Sequence, residues 1–384
     1  MGRQGANWLL LIAMVAVSAN LRPAISSVPP LLDTIRTALG LSHAAAGLVT
    51  TIPVLLMGIV PAFAALLAGR QGSERVVLAS VLLVGAGALA RLAEFSVVLY
   101  LSAALCGVGI AAAQTLLPEI AKRRFGDSAA LVMAVQATAM TAGAGLAAVL
   151  TPGLSASWSA ALAWWTAPAL AGALLWLVVA GVRKQAASDA GPRFGFPMRS
   201  RMAWRITLFA AMSSAMFYTT LTWIPPTYAE AGWSSGQTGT LLLVLSLAQM
   251  AASLGVTWFA RHAGDRRWQL IGSVALGAAG CAGLAFAPMA APWTWMICVG
   301  VSTGAMFPLS LMLPVDYEDR PDALRRLSAM SLTGGYVLAA AGPVLFGWLR
   351  EGSGGYAPSY LALAASAVAA SVMCLGFRPR GRDR

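Results

Sequence analysis

The sequence predicts an all-α membrane protein of twelve transmembrane helices in two pseudo-symmetric six-helix bundles. Three observations lead there. The 384 residues are 58% hydrophobic and only 10% charged, whereas a water-soluble domain has about a quarter of its residues charged. The apolar residues gather into runs of membrane length, about 20 residues each, separated by short polar stretches. A loop pattern also recurs at half the chain length: Gly-Ser-Glu-Arg at Gly72–Arg75 returns as Gly-Asp-Arg-Arg at Gly264–Arg267, 192 positions on.

Helices rather than barrel strands follow from the runs themselves, which are long, rich in Leu, Ala and Gly, and lack the alternation of a membrane strand. Six runs fall near Trp8–Val28, Ala44–Leu67, Val76–Leu92, Val97–Ala121, Ala129–Leu150 and Trp158–Ala180. Six more fall near Trp204–Tyr228, Gln237–Ala260, Gln269–Ala287, Trp293–Leu313, Leu327–Trp348 and Tyr360–Phe377. Between them Gly181–Ala203 is polar and carries Arg, Lys, Ser, Gly and Pro, as a linker does. The expected division is therefore an N-terminal bundle over 1–180, a cytoplasmic linker over 181–203 and a C-terminal bundle over 204–384. Pro29-Pro30 and Pro225-Pro226 near the end of the first helix of each half support two parallel repeats. Arg3 and the run Trp8–Ala19 resemble a signal peptide, but the apolar pattern continues past Arg22, so an uncleaved first helix is expected.

The net charge of +12 comes from 26 basic and 14 acidic residues. With the N-terminus inside, 22 of the 26 basic residues fall in cytoplasmic segments, leaving only Arg22, Arg36, Arg91 and Arg350 elsewhere. That bias sets both termini in the cytoplasm of an inner-membrane, multi-pass protein and excludes nucleic acid as the reason for the charge. Cys106, Cys281, Cys298 and Cys374 all lie in apolar runs without ligand spacing, so no metal and no cofactor are expected.

Arg22 lies about 20 Å into the first helix at about 1.5 Å per residue. A guanidinium there costs at least about 2.5–3.5 kcal/mol unless it faces a cavity or a partner, and it does not escape by losing its proton. Either it faces a water-filled centre and receives a small anion or an electron-rich ring, or it snorkels outward or pairs with Asp33. Asn20 and Pro23 flank it, and Pro23 removes a backbone donor. Tyr218 lies as deep in the first helix of the second half as Arg22 does in the first. Tyr218 and Trp223 are candidates to stack a planar substrate, with an interfacial aromatic belt as the other reading. Gln114, Gln136, Gln249 and Tyr336 are mid-span polar side chains that serve either helix packing or substrate binding. Phe307 beside Pro308 offers an aromatic wall or a packing contact. Glu119 is a candidate proton relay, although Lys122 and Arg123 one turn on suit a structural ion pair.

Asn20-Leu21-Arg22-Pro23, followed by Ser27-Val28-Pro29-Pro30-Leu31-Leu32, resembles the first helix of the cyanate/2-nitroimidazole porters of the major facilitator superfamily. Leu48–Val54, Phe217–Pro225 and Gly334-Gly335-Tyr336 running to Ala340-Ala341-Gly342-Pro343 resemble the same family, so the likeness covers nearly the whole chain. Arg70, Gly72 and Arg75 match part of the superfamily's conformational-switch loop, with Gly264 and Arg267 in the second half. Gly69 stands where that loop is expected to carry an acid. The resemblance implies the major facilitator fold, alternating access by rocking of two halves about a central site, and small substrates that include cyanate-like anions and nitroimidazoles.

The expected function is thus secondary active transport, as symporter or exporter, of a small anion or compact polar heteroaromatic. Arg22 would supply the charge, and Asn20, Tyr218, Gln114, Gln136, Trp223, Gln249, Phe307 and Tyr336 the remaining contacts. The implied partners are a small-molecule substrate, the lipid bilayer and a coupling proton or other ion, with the protein a monomer. A multidrug or metabolite efflux pump is the second reading and a non-transporting membrane sensor the third. The spans hold no paired carboxylates and no nucleophile–His arrangement, which argues against an enzyme.

Overall fold

The computed structural model describes residues 3–180, 195–260 and 266–377 of the chain, and these are almost entirely helical. Among them, eleven helices are long and apolar enough to cross a membrane. The first, α1, runs Arg3–Leu21 and continues after a break through the short helical segments Pro23–Ser26, Pro29–Leu31 and Leu32–Ala38. It is followed by α2 (His43–Gln71), α3 (Ser73–Ala90), α4 (Ser96–Phe125), α5 (Ala129–Leu154) and α6 (Trp158–Ala163 and Thr166–Ala180). Then come α7 (Arg201–Ala229), α8 (Ser235–Ala260), α9 (Arg267–Phe286), α10 (Pro292–Tyr317), α11 (Pro321–Ala339 and Ala341–Ser353) and α12 (Ala357–Cys374). The helix outside the eleven is α7. It is 29 residues long, but Thr, Ser, Tyr and Trp replace the aliphatic residues that make its neighbours so apolar.

Large apolar side chains such as Phe63, Leu101 and Val178 stand exposed on the helices. Lipid is the solvent that makes such a surface stable. Helices that satisfy their own backbone bonds then pack on one another through small residues rather than through a hydrophobic drive.

Contacts divide the described residues into two units. One lies within Met1–Leu41, Ile52–Arg193 and Gly232–Thr240, and the other within Ser42–Thr51, Phe194–Ala231 and Leu241–Arg384. In the first unit α1 packs along α5 and α6, and α3 along α4 and α6. In the second, α7 packs along α11 and α10, and α9 along α10 and α12. The break in α1 has a sequence cause. Pro23 has no N–H to give the Ala19 carbonyl, and Gly143 of α5 takes the place beside that oxygen: a Cβ on Gly143 would run into it. Glycine is required there for the close approach of two backbones.

Each unit also carries an ion pair between the start of its third helix and the end of its fourth. In the first, Glu74 Oε1 accepts from Arg123 at 2.6 Å and Arg124 at 3.3 Å. In the second, Arg266, the residue before α9, donates to Asp316 of α10 at 2.5–2.7 Å. Glu74 and Arg266 are 192 positions apart, and so are Arg124 and Asp316. The two halves therefore build the same contact with the charges exchanged.

Candidate functional site

In the first unit, Arg22 sits at the break of α1, half-buried, with φ −80° and ψ −31°. Its carbonyl accepts from the Ile25 and Ser26 N–H groups at 3.0 and 2.9 Å. Asp33, the carboxylate considered as its partner, is bound instead by Arg36 at 2.9 Å. Asn20 donates from Nδ2 to the Ala16 carbonyl at 2.8 Å, so its amide nitrogen is engaged within α1. Gln114 of α4 is half-buried and Gln136 of α5 is buried. Among the described residues, neither Nε2 has a hydrogen-bond partner. An amide N–H left unpaired in an apolar surround costs about 1–3 kcal/mol. Two such donors, on helices that both touch α1, suit a ligand rich in acceptors.

In the second unit, Tyr218 is buried at 3% exposure and its ring meets Phe217 edge-on at 4.9 Å and Tyr336 of α11 at 6.4 Å. The two tyrosines singled out in the sequence are thus neighbours. Trp223 has partners within its own unit. Its indole N–H donates to the Pro343 carbonyl at 2.9 Å, and its ring stacks on His43 and Phe346 at 6.1 and 5.7 Å. Around it, Arg350 pairs with Glu230 at 2.8 Å and lies over the Tyr356 ring at 4.9 Å. Burial, and the Glu230 carboxylate beside it, push the Tyr356 phenol up, so it stays neutral. Gln249 of α8 is half-buried with its backbone against Gly304 of α10, where a Cβ would collide with the Gln249 carbonyl. Phe307 is exposed.

The switch-loop residues lie at the α2–α3 turn. Arg70 is exposed at the end of α2, Arg75 is half-buried, and Gly72 has φ 95°, a left-handed conformation that a side chain would strain. Gly264 lies outside the described residues, and Arg267 opens α9. Glu119 accepts from Ser73 Oγ at 3.0 Å and lies 3.6 Å from Arg123. Glu74, in the sequence only a member of the repeated loop motif, is 2% exposed and supplies an acid to this loop where Gly69 does not. Its place beside Arg75 was the available signal. Arg91, in the sequence only a basic residue off the cytoplasmic side, is buried at the end of α3.

All four cysteines are free thiols, and among the described residues no group of His, Cys, Asp or Glu is placed to hold a metal ion.

A family profile described as the Major Facilitator Superfamily matches residues 9–320. The chain is 34% identical over 379 residues to the cyanate transport protein CynX of Escherichia coli (strain K12), covering 96% of this chain and 97% of that protein. It is 32% identical over 387 residues to the 2-nitroimidazole transporter of the same organism, covering 99% and 97%. Among solved structures, the nucleoside transporter NupG superposes with a TM-score of 0.80 at 13% identity, over 96% of this chain and 100% of that one. A D-xylose-proton symporter superposes with a TM-score of 0.75 at 15% identity, over 96% and 98%. These two likenesses concern the fold.

Proposed function

Because this chain belongs to the Major Facilitator Superfamily, we propose that it moves a small anion or a compact polar heteroaromatic across the inner membrane by alternating access. That it is a multi-pass membrane transporter follows from the family. The substrate class is our reading, and one observation carries it. Unit one holds a guanidinium at a helix break and two amide donors, on Gln114 and Gln136, without partners among the described residues. Two relatives that cover almost the whole chain are named for cyanate and 2-nitroimidazole. Cyanate and a nitro group both offer compact acceptor atoms on a small frame, which charged and neutral N–H donors bind with short, strong hydrogen bonds.

In this reading Arg22 supplies the charge and Gln114 and Gln136 the neutral donors of the first unit, while in the second unit Tyr218 with Tyr336 forms an aromatic surface. Asn20 steadies the helix beside Arg22. Trp223, Gln249 and Phe307 remain outer candidates, and the loop residues Arg70, Gly72, Arg75, Gly264 and Arg267 the conformational switch. The bias of 22 basic residues supports both termini in the cytoplasm.

The test is counterflow of labelled cyanate or 2-nitroimidazole into proteoliposomes. Wild-type protein should exchange at least one of the two, and Arg22→Ala should lose at least about 100-fold in kcat/KM, about 2.7 kcal/mol of lost charge-assisted bonding. Arg22→Lys should recover part of that if a point charge suffices, and none if the planar fork is required. Wild-type rates in Arg22→Ala, with the protein inserted normally, would remove the assignment.

A further inference from the structure

Arg91 is the buried cation that the reading above leaves unused. It lies just after α3 at 2% exposure, and no carboxylate among the described residues pairs with it. Its Nη2 donates to the Ala24 carbonyl of α1 at 2.7 Å and lies 3.9 Å from Cys106 Sγ of α4. Its Nε donates to Ser102 Oγ of α4 at 3.3 Å, a hydroxyl that itself donates to the Leu99 carbonyl at 2.7 Å. Among the described residues, Nη1 is buried with no partner. A charge so expensive to bury is kept there by what it binds.

What it binds is explained by the prolines. In an unbroken helix Pro29 would serve the Ile25 carbonyl and Pro30 the Ser26 carbonyl, but proline has no N–H. The Val28 N–H turns to Ile25 at 3.3 Å, and the Ala24 carbonyl, its ordinary acceptor, receives the guanidinium instead. One side chain thus replaces a missing helical bond two residues beyond Arg22 and ties that point to α4 through Ser102.

We propose that Arg91 is a positioning residue that holds α1 on its bent course after Pro23 and thereby fixes the direction of Arg22. The proposal rests on Arg22 being the substrate's charge partner. Arginine is needed because its planar fork reaches the carbonyl and the Ser102 hydroxyl together, whereas lysine presents a single ammonium.

The test uses the full-length protein in lipid nanodiscs and two readouts that need no substrate. Hydrogen exchange over residues 24–28 should quicken about tenfold or more in Arg91→Gln, as local opening becomes easier. A thiol reagent should label Arg22→Cys, with Cys298→Ser in the background, at a rate that Arg91→Gln changes by about tenfold as the direction of residue 22 is released. Arg91→Lys should fall between wild type and Gln in both. Pro29→Ala should rescue Arg91→Gln, because the restored N–H serves Ile25 and returns the Val28 N–H to Ala24. If Arg91→Gln does not insert, Arg91→Lys alone and with Pro29→Ala carries the comparison. In transport, Arg91→Gln should raise KM for cyanate or 2-nitroimidazole about tenfold with Vmax nearly unchanged. Unchanged exchange, or unchanged labelling at position 22, overturns the clamp whatever transport does. Altered exchange and labelling with an unaltered KM leave Arg91 structural and overturn its positioning role. Normal transport by Arg22→Ala removes the reading of Arg22 instead, with the clamp's own readouts standing apart from it.

Discussion

A buried side chain that lacks a partner separates a binding role from a packing role by the sign of its effect on stability. Gln136 is 5% exposed and its Nε2 has no partner among the described residues. If that amide were glue between helices, Gln136→Leu would remove a bond and lower the melting temperature. If it waits for an acceptor on the substrate, the same change removes an unpaired donor, and the empty protein should be as stable or more so. We expect the second: a melting temperature that is unchanged or raised, with KM for cyanate or 2-nitroimidazole up about tenfold, about 1.4 kcal/mol of one lost hydrogen bond. A lowered melting temperature with unchanged KM would reverse the assignment. Polar residues at mid-span were legible in the sequence, because hydropathy makes Arg22, Gln114 and Gln136 stand out. Their partners were not. Asp33 pairs with Arg36 at 2.9 Å, and the Trp223 indole donates to the Pro343 carbonyl, contacts that hydropathy does not display.

Between elements, the informative feature is the pair of ion contacts related by 192 positions, with acid and base exchanged. The sequence displayed the repeat of the loop but not the exchange, because the partner residues, Arg124 and Asp316, lie some fifty residues further along each half. The pairs also differ in burial. Glu74 is 2% exposed, so Glu74→Ala removes the acid shared by Arg123 and Arg124, leaving Arg123 its longer contact with Glu119 at 3.6 Å, and should lower the melting temperature measurably, at a cost of about 1–3 kcal/mol. Asp316 and Arg266 are about a third exposed at 33% and 27%, where water screens part of the attraction. Arg266→Asp alone sets two acids together, whereas Arg266→Asp with Asp316→Arg rebuilds the acid–base order of the first half. The double variant should be more stable than the single by about 1 kcal/mol in a thermal unfolding cycle. Equal stabilities would show that the contact contributes nothing. The course of α1 was legible in part: Pro23 marked a lost backbone donor within the helix, and Pro29-Pro30 a position near its end. That Arg91 would fill the missing bond was not, since its 67-residue separation from Ala24 is closed only by the packing of α3 and α4.

At the scale of the whole molecule, Glu119 is the carboxylate we propose for a coupling proton. Its surroundings set the terms of the test. It accepts from Ser73 Oγ at 3.0 Å, stands 3.6 Å from Arg123, and its side chain is 52% exposed. At that exposure the Glu119 side chain is open to water. Arg123 is the partner for the carboxylate form, and its closer bond to Glu74 at 2.6 Å means it is not left uncompensated when Glu119 is protonated. Counterflow needs no net proton movement, whereas accumulation against a gradient does, so the two assays divide the cycle. Glu119→Gln should keep substrate counterflow within about twofold of wild type and lose accumulation driven by an imposed pH gradient, as expected when binding is intact and only the coupling is removed. Accumulation at the wild-type level in Glu119→Gln would leave Glu119 as part of the ion-pair cluster at the end of α4, and the driving ion would have to be carried elsewhere or with the substrate itself.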